Sequence, residues 1–440
     1  MKKILGFLLL TIGLLSFSQS INSKKEERSG ILKIYNWADY IDEKLLSEFQ
    51  VWYKEQTGQD IRVIYQLFDI NEVMLTKIEK GREDYDVVCP SDYIIERMMK
   101  KDLLLPINRD FGHTPNYTIN VSNFAIEQFN KLSTNDKLAS DYTVGYMWGT
   151  TGLLYNTEYV TKEDISTWGA IWNPLFKDKI LMKDAFRDVY GSVMQYVRQD
   201  ELAQGLATRH EIINDASDKA IKLFEDTIKA AKNNISGWEV DFGKERMVQG
   251  KAWINVTWSG DATWAMEEVG DAVSLDYTVP LEGSTFWFDG WVVPKYAKNP
   301  KAAMYFINFL CMSHNAIRNM AATGYVSVIG TPEVLESQLD STIEKRVDLS
   351  YFFGDSAYSV QVNGIRYPDK SVIQRCDLMR DCGERVEAMI DMWSRVKGDS
   401  LNIITLIIIG IVITFIITWF ILKKRKKNKK RNRIKKPITF

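Results

Sequence analysis

The sequence predicts an α/β protein with two lobes. Three observations lead to this fold class. Strand-like and helix-like segments alternate from residue 31 onward, the alternation restarts in the middle of the chain, and 440 residues exceed what one small core usually organises. Aromatic residues make up 12% of the chain, which is enough apolar material for two cores of ordinary size.

The first part of the predicted fold runs strand, helix, strand, helix, strand. The strands are "ILKIYN", "IRVIYQ" and "YDVVCP", and Pro90 stops the last of them. One helix keeps its apolar residues on one face between Asp42 and Gly58, and the other, "INEVMLTKIEKG", closes at Gly81. This order predicts a parallel sheet with right-handed crossovers.

The second part of the predicted fold repeats the theme. We expect strand, turn and strand in "YTVGYMWGTTGLLYN", a strand entering a helix in "KDKILMKDAFRDVYGSVMQYVRQ", and an amphipathic helix in "DKAIKLFEDTIKAAKN". The stretch "KAWINVTWSGDATWAMEEVG" predicts a buried strand, a Trp-Ser-Gly-Asp loop and a helix. A β-rich return, "SLDYTVPLEGSTFWFDGWVVP", precedes a helix pair that begins at Asn299 and Pro300.

The two ends of the chain predict export and membrane attachment. Residues 1–20 have the layout of a signal peptide, and no cysteine follows that could carry a lipid. Residues 401–422 hold no charge and are long enough to cross a bilayer as one helix, and eleven Lys or Arg residues follow in the tail 423–440. The positive-inside rule places that tail in the cytoplasm and the rest of the chain outside the cell membrane. Nucleic-acid binding is the alternative for a basic run, but the apolar span before it favours an anchor.

Charge and cysteine content narrow the function. Residues 21–400 contain 43 Lys or Arg and 57 Asp or Glu, a net charge of −14. A field of this sign attracts cations and repels anions, which disfavours phosphate and nucleic-acid ligands. Four cysteines are too few for a disulfide framework, and only Cys376 and Cys382 lie close enough in sequence for pairing to be an open question.

Four clusters combine aromatic rings with a carboxylate: "NWADY", "PSDY", "WSGDATW" and "FWFDGW". The first two follow strands of the predicted parallel sheet, where ligands bind beyond the carboxyl ends of the strands. Rings attract ammonium groups and cover methylenes, while Asp neutralises charge, so the clusters suit a linear polyamine. A sugar cleft uses the same residue types, and Trp37 and Tyr40 could instead simply cover the following helix.

Enzyme signatures are sparse. The three histidines, His113, His210 and His314, show no metal-ligand spacing, and neither a nucleophile elbow nor a phosphate-binding loop is present in the sequence. Asp184, Asp188 and Asp289 could in principle hydrolyse a glycoside. We expect a binding protein without a cofactor or a metal site.

Residues 31–398 resemble the extracytoplasmic polyamine-binding proteins of ABC importers, the spermidine/putrescine-binding type. The resemblance is carried by "YNWADYI", "YDVVCPSDYIIERM", "VGYMWGTTGLLYN", "TWGAIWNPLFKDKILM", "INVTWSGDA", "FWFDGWVVP" and "TGYVSV", in this order and spacing. It implies a periplasmic-binding-protein type II fold, with an N-terminal lobe of residues 30–142 and 288–334 and a C-terminal lobe of residues 143–287 and 335–398. It also implies a hinge, a ligand cleft between the lobes, a monomer, and ABC permease subunits as partners.

The resemblance also implies which side chains contact the ligand. Asp289 matches the central ammonium-binding carboxylate, and Tyr325 matches a residue that closes the cleft. The implied ligand-binding residues are Trp37, Asp39, Tyr40, Ser91, Tyr93, Asp184, Asp188, Trp258, Trp287, Asp289 and Tyr325.

Three positions depart from the family pattern. Ala38 replaces a hydroxyl residue, Ala185 falls on an acidic position with Asp184 beside it, and Met379 replaces a glutamine. These departures leave open whether spermidine or putrescine is preferred. The membrane anchor is also unusual for the family, and the alternatives are a receptor for a sugar or another amine, or an anchored polyamine sensor whose tail is too short for an output domain.

Overall fold

The computed structural model describes residues 28–81, 83–270 and 273–398, together with residues 418, 419 and 423. A large compact unit ends at Val386, and a small one begins at Glu387. The predicted signal peptide (1–20), transmembrane helix (401–422) and basic tail (423–440) lie outside the described residues, apart from 418, 419 and 423. In the described ranges, no helix has both the length and the apolar character needed to cross a bilayer.

Strands and helices alternate along most of the described chain. The strands are β1 (Ile31–Trp37), β2 (Arg62–Phe68), β3 (Val87–Val88), β4 (Leu104–Leu105), β5 (Thr143–Asn156), β6 (Ile180–Lys183), β7 (Ile235–Glu239), β8 (Ile254–Trp258), β9 (Leu275–Thr278), β10 (Ser284–Pro294), β11 (Val326–Ser327) and β12 (Cys376–Leu378). The helices are α1 (Lys44–Thr57), α2 (Asn71–Glu79), α3 (Asp92–Lys100), α4 (Asn123–Asn130), α5 (Phe186–Val197), α6 (Gln199–Ala203), α7 (Arg209–Asn214), α8 (Asp218–Ala230), α9 (Gly243–Val248), α10 (Ser259–Glu268), α11 (Pro300–Leu310), α12 (Ser313–Thr323), α13 (Pro332–Gln338), α14 (Ser350–Phe353), α15 (Lys370–Ile373) and α16 (Arg385–Lys397).

The strands pair in the order β2-β1-β3-β10-β5-β8-β6-β7. The predicted parallel sheet is confirmed, because β1 pairs in parallel with both β2 and β3. A second parallel set, β8-β6-β7, lies at the other end of the order. Between the two sets, β5 and β10 pair antiparallel along most of their length, with a shift in register between Asp289 and Gly290.

The prediction of strand, turn and strand in "YTVGYMWGTTGLLYN" is wrong, because β5 is one continuous strand. Its glycines do not make a turn; they leave room for neighbouring side chains. A Cβ atom at Gly149 would lie 2.6 Å from Cζ2 of Trp287, and one at Gly152 would lie 2.4 Å from the backbone oxygen of Thr278. Glycine is required here by close approach across the sheet.

The predicted Trp-Ser-Gly-Asp loop is also wrong, since α10 begins at Ser259, directly after β8. Asp261 lies in the first turn, where a carboxylate interacts favourably with the helix N-terminus. Other predicted boundaries are confirmed: α1 ends at Gly58 with a φ of 72°, and the Asn299 side chain caps α11 ahead of Pro300. All four cysteines are free.

Replacement of Gly152 by alanine should destabilise the protein. The new methyl group would meet the backbone oxygen of Thr278 and the buried ring of Tyr277 in β9, so the sheet must shift. We expect the free energy of unfolding to fall by about 1–3 kcal/mol, measured by urea denaturation with tryptophan fluorescence. Gly237→Ala in β7 is the control, because its nearest neighbour would be Cδ2 of Leu181 at 3.5 Å. Equal stability of the two variants would contradict this packing argument.

Candidate functional site

One cavity, which is partly open to solvent, is lined by all eleven side chains that the sequence analysis selects. These side chains come from the ends of β1, β6 and β8 or the residues just after them, from the middle of β10, from the starts of α3 and α5, and from the segment before β11. They are Trp37, Asp39, Tyr40, Ser91, Tyr93, Asp184, Asp188, Trp258, Trp287, Asp289 and Tyr325. The structure therefore brings the predicted residues together at the carboxyl ends of the parallel strands, as expected for an open α/β sheet.

Five aromatic rings form a continuous wall of this cavity. Ring centroids are 6.4 Å apart between Trp37 and Trp258 and 6.4 Å apart between Trp258 and Trp287. Tyr325 follows at 5.8 Å from Trp287, and Tyr40 lies 4.9 Å from Tyr325. Successive rings meet at steep angles of 59–87°, the favourable edge-to-face arrangement. The five rings therefore pack against one another in a continuous row.

Asp289 is a buried carboxylate beside this wall, with 5% of its surface exposed. The Tyr40 hydroxyl donates to Oδ2 at 2.7 Å, while Oδ1 is buried and accepts no hydrogen bond from the described residues. Burial, with a smaller contribution from the charge of Asp188, raises the pKa of Asp289 to about 7, although the nearby Ser91 and Tyr40 hydroxyls act to lower it. A buried carboxylate oxygen without a partner is a site prepared for a cation.

Asp188, in the first turn of α5, is the second buried carboxylate of the cavity. Its Oδ1 accepts hydrogen bonds from Nε1 of Trp258 at 3.1 Å and from Oγ1 of Thr151 at 3.2 Å. Burial raises the pKa of Asp188 to about 6. The two carboxylates thus share the cavity as groups that a nearby positive charge would stabilise in the ionised form.

Asn71 and Glu72, at the start of α2, are lining residues that the sequence analysis missed. The Asn71 side chain donates to Oγ of Ser91 at 3.0 Å and to the hydroxyl of Tyr93 at 3.2 Å, and that hydroxyl donates to Oε1 of Glu72 at 3.1 Å. Their position after a strand of the parallel sheet could have identified them as lining residues. Both follow β2, which lies beside β1 in the same parallel sheet.

Asp261 was missed although it belongs to the quoted "WSGDATW". Its Oδ1 accepts from the Tyr325 hydroxyl at 2.7 Å, and its Oδ2 lies 2.8 Å from Nζ of Lys183. Lys183 is 1% exposed and also lies 3.3 Å from Oε1 of Glu239 and 4.1 Å from the ring centroid of Trp258. Although burial opposes it, the charges of Asp261 and Glu239 raise the pKa of Lys183, so it is a buried ammonium.

Asp39 and Asp184 are less enclosed. Asp39 has an exposed side chain and a φ of 50°, and its Oδ2 lies 3.3 Å from Nζ of Lys244 on α9. Asp184 is half-buried. Ala38, Ala185 and Met379, the three departures from the family pattern, also line the cavity. The acidic residues of the lining are Asp39, Asp69, Glu72, Asp184, Asp188, Asp241, Asp261 and Asp289, and its basic residues are Arg187 and Lys244.

Comparison with known proteins identifies relatives that match most of the chain. A family model described as "Bacterial extracellular solute-binding protein" matches residues 48–345. The spermidine/putrescine-binding periplasmic protein of Salmonella typhimurium is 25% identical over 390 residues, covering 88% of this chain and 97% of the relative. The putrescine-binding periplasmic protein of Escherichia coli K12 is 27% identical over 292 residues, covering 63% of this chain and 72% of the relative.

A solved structure supports the fold. The spermidine/putrescine ABC transporter substrate-binding protein of Streptococcus pneumoniae aligns with a TM-score of 0.59 and 28% identity, covering 84% of this chain and 99% of that one. The chain therefore has the α/β fold of periplasmic binding proteins, as the sequence analysis expects.

Replacement of Asp289 by asparagine should stabilise the ligand-free protein at neutral pH. Because the folded pKa lies above the unfolded one, the folded state holds an extra proton between about pH 4 and pH 7, and stability falls as pH rises through that window. Asparagine does not ionise, so the variant does not lose this stability as the pH rises. We expect the melting temperature of the variant at pH 8 to exceed that of the wild type by at least about 2–4 °C.

Differential scanning calorimetry between pH 5 and pH 8 checks this expectation, and the gap should widen up to pH 7 and then stay constant. Asp60→Asn is the matched control, because the Asp60 side chain is 83% exposed. If the variant melts below the wild type at pH 8, the protein itself already compensates the ionised carboxylate without a ligand, and the expectation is wrong.

Proposed function

The chain belongs to the family of bacterial extracellular solute-binding proteins, and from this premise we propose that it captures a linear polyamine, spermidine or putrescine, for an ABC importer. It would then deliver the ligand to permease subunits in the membrane. The family consists of binding proteins, in agreement with the expectation that the chain is not an enzyme. The observation that carries the proposal is the pair of buried carboxylates, Asp188 and Asp289, within a wall of five aromatic rings.

A linear polyamine matches this cavity group by group. Its ammonium groups supply the positive charge that the open oxygen of Asp289 and the buried carboxylate of Asp188 lack. Its methylenes suit the faces of Trp37, Trp258 and Trp287, and ammonium groups are attracted to the same faces. A neutral sugar would leave both carboxylates without a counter-charge, which disfavours the sugar alternative.

We also propose the two-lobed organisation that the sequence analysis expects. One lobe would comprise residues 30–142 and 288–334, and the other residues 143–287 and 335–398. The strand order supports this division, because one parallel set, β2-β1-β3, lies on one side of the β5–β10 pair and the other, β8-β6-β7, lies on the opposite side. Lobe closure about β5 and β10 would bring Tyr40 and Ser91 toward Trp258 and Asp188 around the ligand.

Calorimetric titration of the purified full chain tests the proposed ligand class. We expect putrescine or spermidine to bind with micromolar or tighter affinity, and maltose and glutamate not to bind. Asp289→Asn should weaken polyamine binding by well over tenfold, since loss of one partner of a desolvated charge pair costs about 2–5 kcal/mol. Asp60→Asn should bind like the wild type. Heat from maltose with none from any polyamine would refute the proposal.

The same proposal places the receptor at the outer face of the membrane. The charge-free residues 401–422 and the eleven basic residues that follow support an anchor with a cytoplasmic tail. An anchor would keep the receptor near its permease and raise their effective concentration without a new contact. This arrangement would replace the lipid that many extracytoplasmic receptors carry.

Deletion of residues 401–440 should release the protein from the membrane fraction while polyamine binding is retained. Uptake of polyamine should fall at native abundance and recover when the truncated form is overproduced. Cell fractionation and radiolabelled uptake measure these effects. Cleavage of the basic tail by protease added to intact cells would contradict the orientation, and unchanged uptake at native abundance would contradict the tethering role.

A further inference from the structure

The charges that line the cavity are partly balanced by the chain itself. Asp39 forms an ion pair with Lys244, and Asp261 forms one with Lys183. Glu72 and Arg187 both contact Tyr93: its hydroxyl donates to Glu72, and the guanidinium lies 5.9 Å from its ring centroid. Three lining acids therefore each have a cation of the chain nearby.

Asp188 and Asp289 are the two buried lining acids that are held by neutral groups, although the charges of Lys183 and Arg187 act on the pKa of Asp188 from further away and lower it. Neither forms an ion pair with a lysine or arginine in the described part of the chain, and their hydrogen bonds come from neutral donors. Asp69 and Asp241 are exposed, and Asp184 is half-buried, so water weakens their attraction for a ligand charge. The desolvated part of the cavity thus has room for two positive charges.

Lys183 contacts two groups, the Trp258 ring and the Asp261 carboxylate, that would otherwise be able to bind a third ammonium group. Its Nζ lies 4.1 Å from the ring centroid of Trp258, the distance of a cation–π contact, and 2.8 Å from Oδ2 of Asp261. Oδ1 of that carboxylate accepts from Tyr325, so both oxygens are engaged. Ala185 and Met379 add no charge elsewhere in the lining.

We propose that Lys183 determines ligand charge: by holding Asp261 and covering a face of Trp258, it makes the cavity selective for linear diamines over triamines. This inference rests on the proposed function and makes it more specific. A triamine such as spermidine would bring its third ammonium either beside the Lys183 ammonium or into a part of the cavity that offers no desolvated carboxylate. A diamine such as putrescine meets Asp188 and Asp289 with one charge each.

Titration of the purified full chain with putrescine and spermidine is the first test. We expect putrescine to bind about tenfold more tightly or better, the size of effect that one unfavourable cation contact produces. Equal or tighter binding of spermidine would overturn the inference. Absence of heat with every polyamine would refute the proposed function and this inference with it, whereas polyamine binding without a diamine preference refutes this inference alone.

Two variants test whether Lys183 is the cause. Lys183→Met frees Asp261, so spermidine should gain about tenfold while putrescine changes little. The triple variant Lys183→Met with Asp261→Asn and Glu239→Gln leaves no uncompensated charge from this buried set, should fold even if the single variant does not, and should keep the diamine preference. A triple variant that loses this preference would overturn the role of charge.

The matched control is Lys179→Met. Lys179 precedes β6 and also stacks on a ring, at 5.0 Å from the centroid of Trp253, but neither residue lines the cavity. Its ratio of putrescine to spermidine affinity should equal that of the wild type. A change in this ratio as large as that of Lys183→Met would show that removing any stacked lysine has the same effect, and would overturn the assignment.

Discussion

The antiparallel pairing of β5 with β10 is the constraint on which both the fold and the cavity depend. Every residue of both strands is buried. Because side chains alternate along a strand, Trp287 and Asp289 point to the cavity while Phe286 and Phe288 pack against Phe124 on the other side. The two halves of the sheet therefore share one pair of strands, and that pair also carries the central carboxylate of the site.

The buried charged groups near these two strands differ in how well the protein compensates them. The buried set of Lys183, Asp261 and Glu239 is compensated within the protein, which is the condition under which buried charge is tolerated. Asp289 is not compensated, and its raised pKa reflects the cost of holding an ionised group away from water. Ionised Asp289 therefore lowers the stability of the ligand-free protein, and a cationic ligand would remove this cost. The same residue thus strengthens ligand binding and weakens the ligand-free fold.

Much of this arrangement could be predicted from the sequence, because local signals agree with the fold there. Gly58 and Asn299 mark helix ends through their own backbone and side-chain chemistry, and ring-and-carboxylate clusters after strands mark the cavity. Gly149 led to the wrong prediction of a turn. The Trp287 ring requires a glycine there, but Trp287 is remote in sequence, so nothing local distinguishes this glycine from one in a turn. Lys183 could not be predicted as a buried ammonium, since its partners Asp261 and Glu239 are remote in sequence.

The position of β10 in the strand order also has a consequence for how the chain acquires its structure. The order places β10, residues 284–294, between β3 and β5, although β3 ends at Val88. A chain synthesised from its N-terminus therefore holds β1, β2 and β3 with an open edge until residues 284–294 have been made. Such non-local pairing slows folding because a long loop must close first. The first strands therefore gain their central neighbour only when the segment that ends at Pro294 is available.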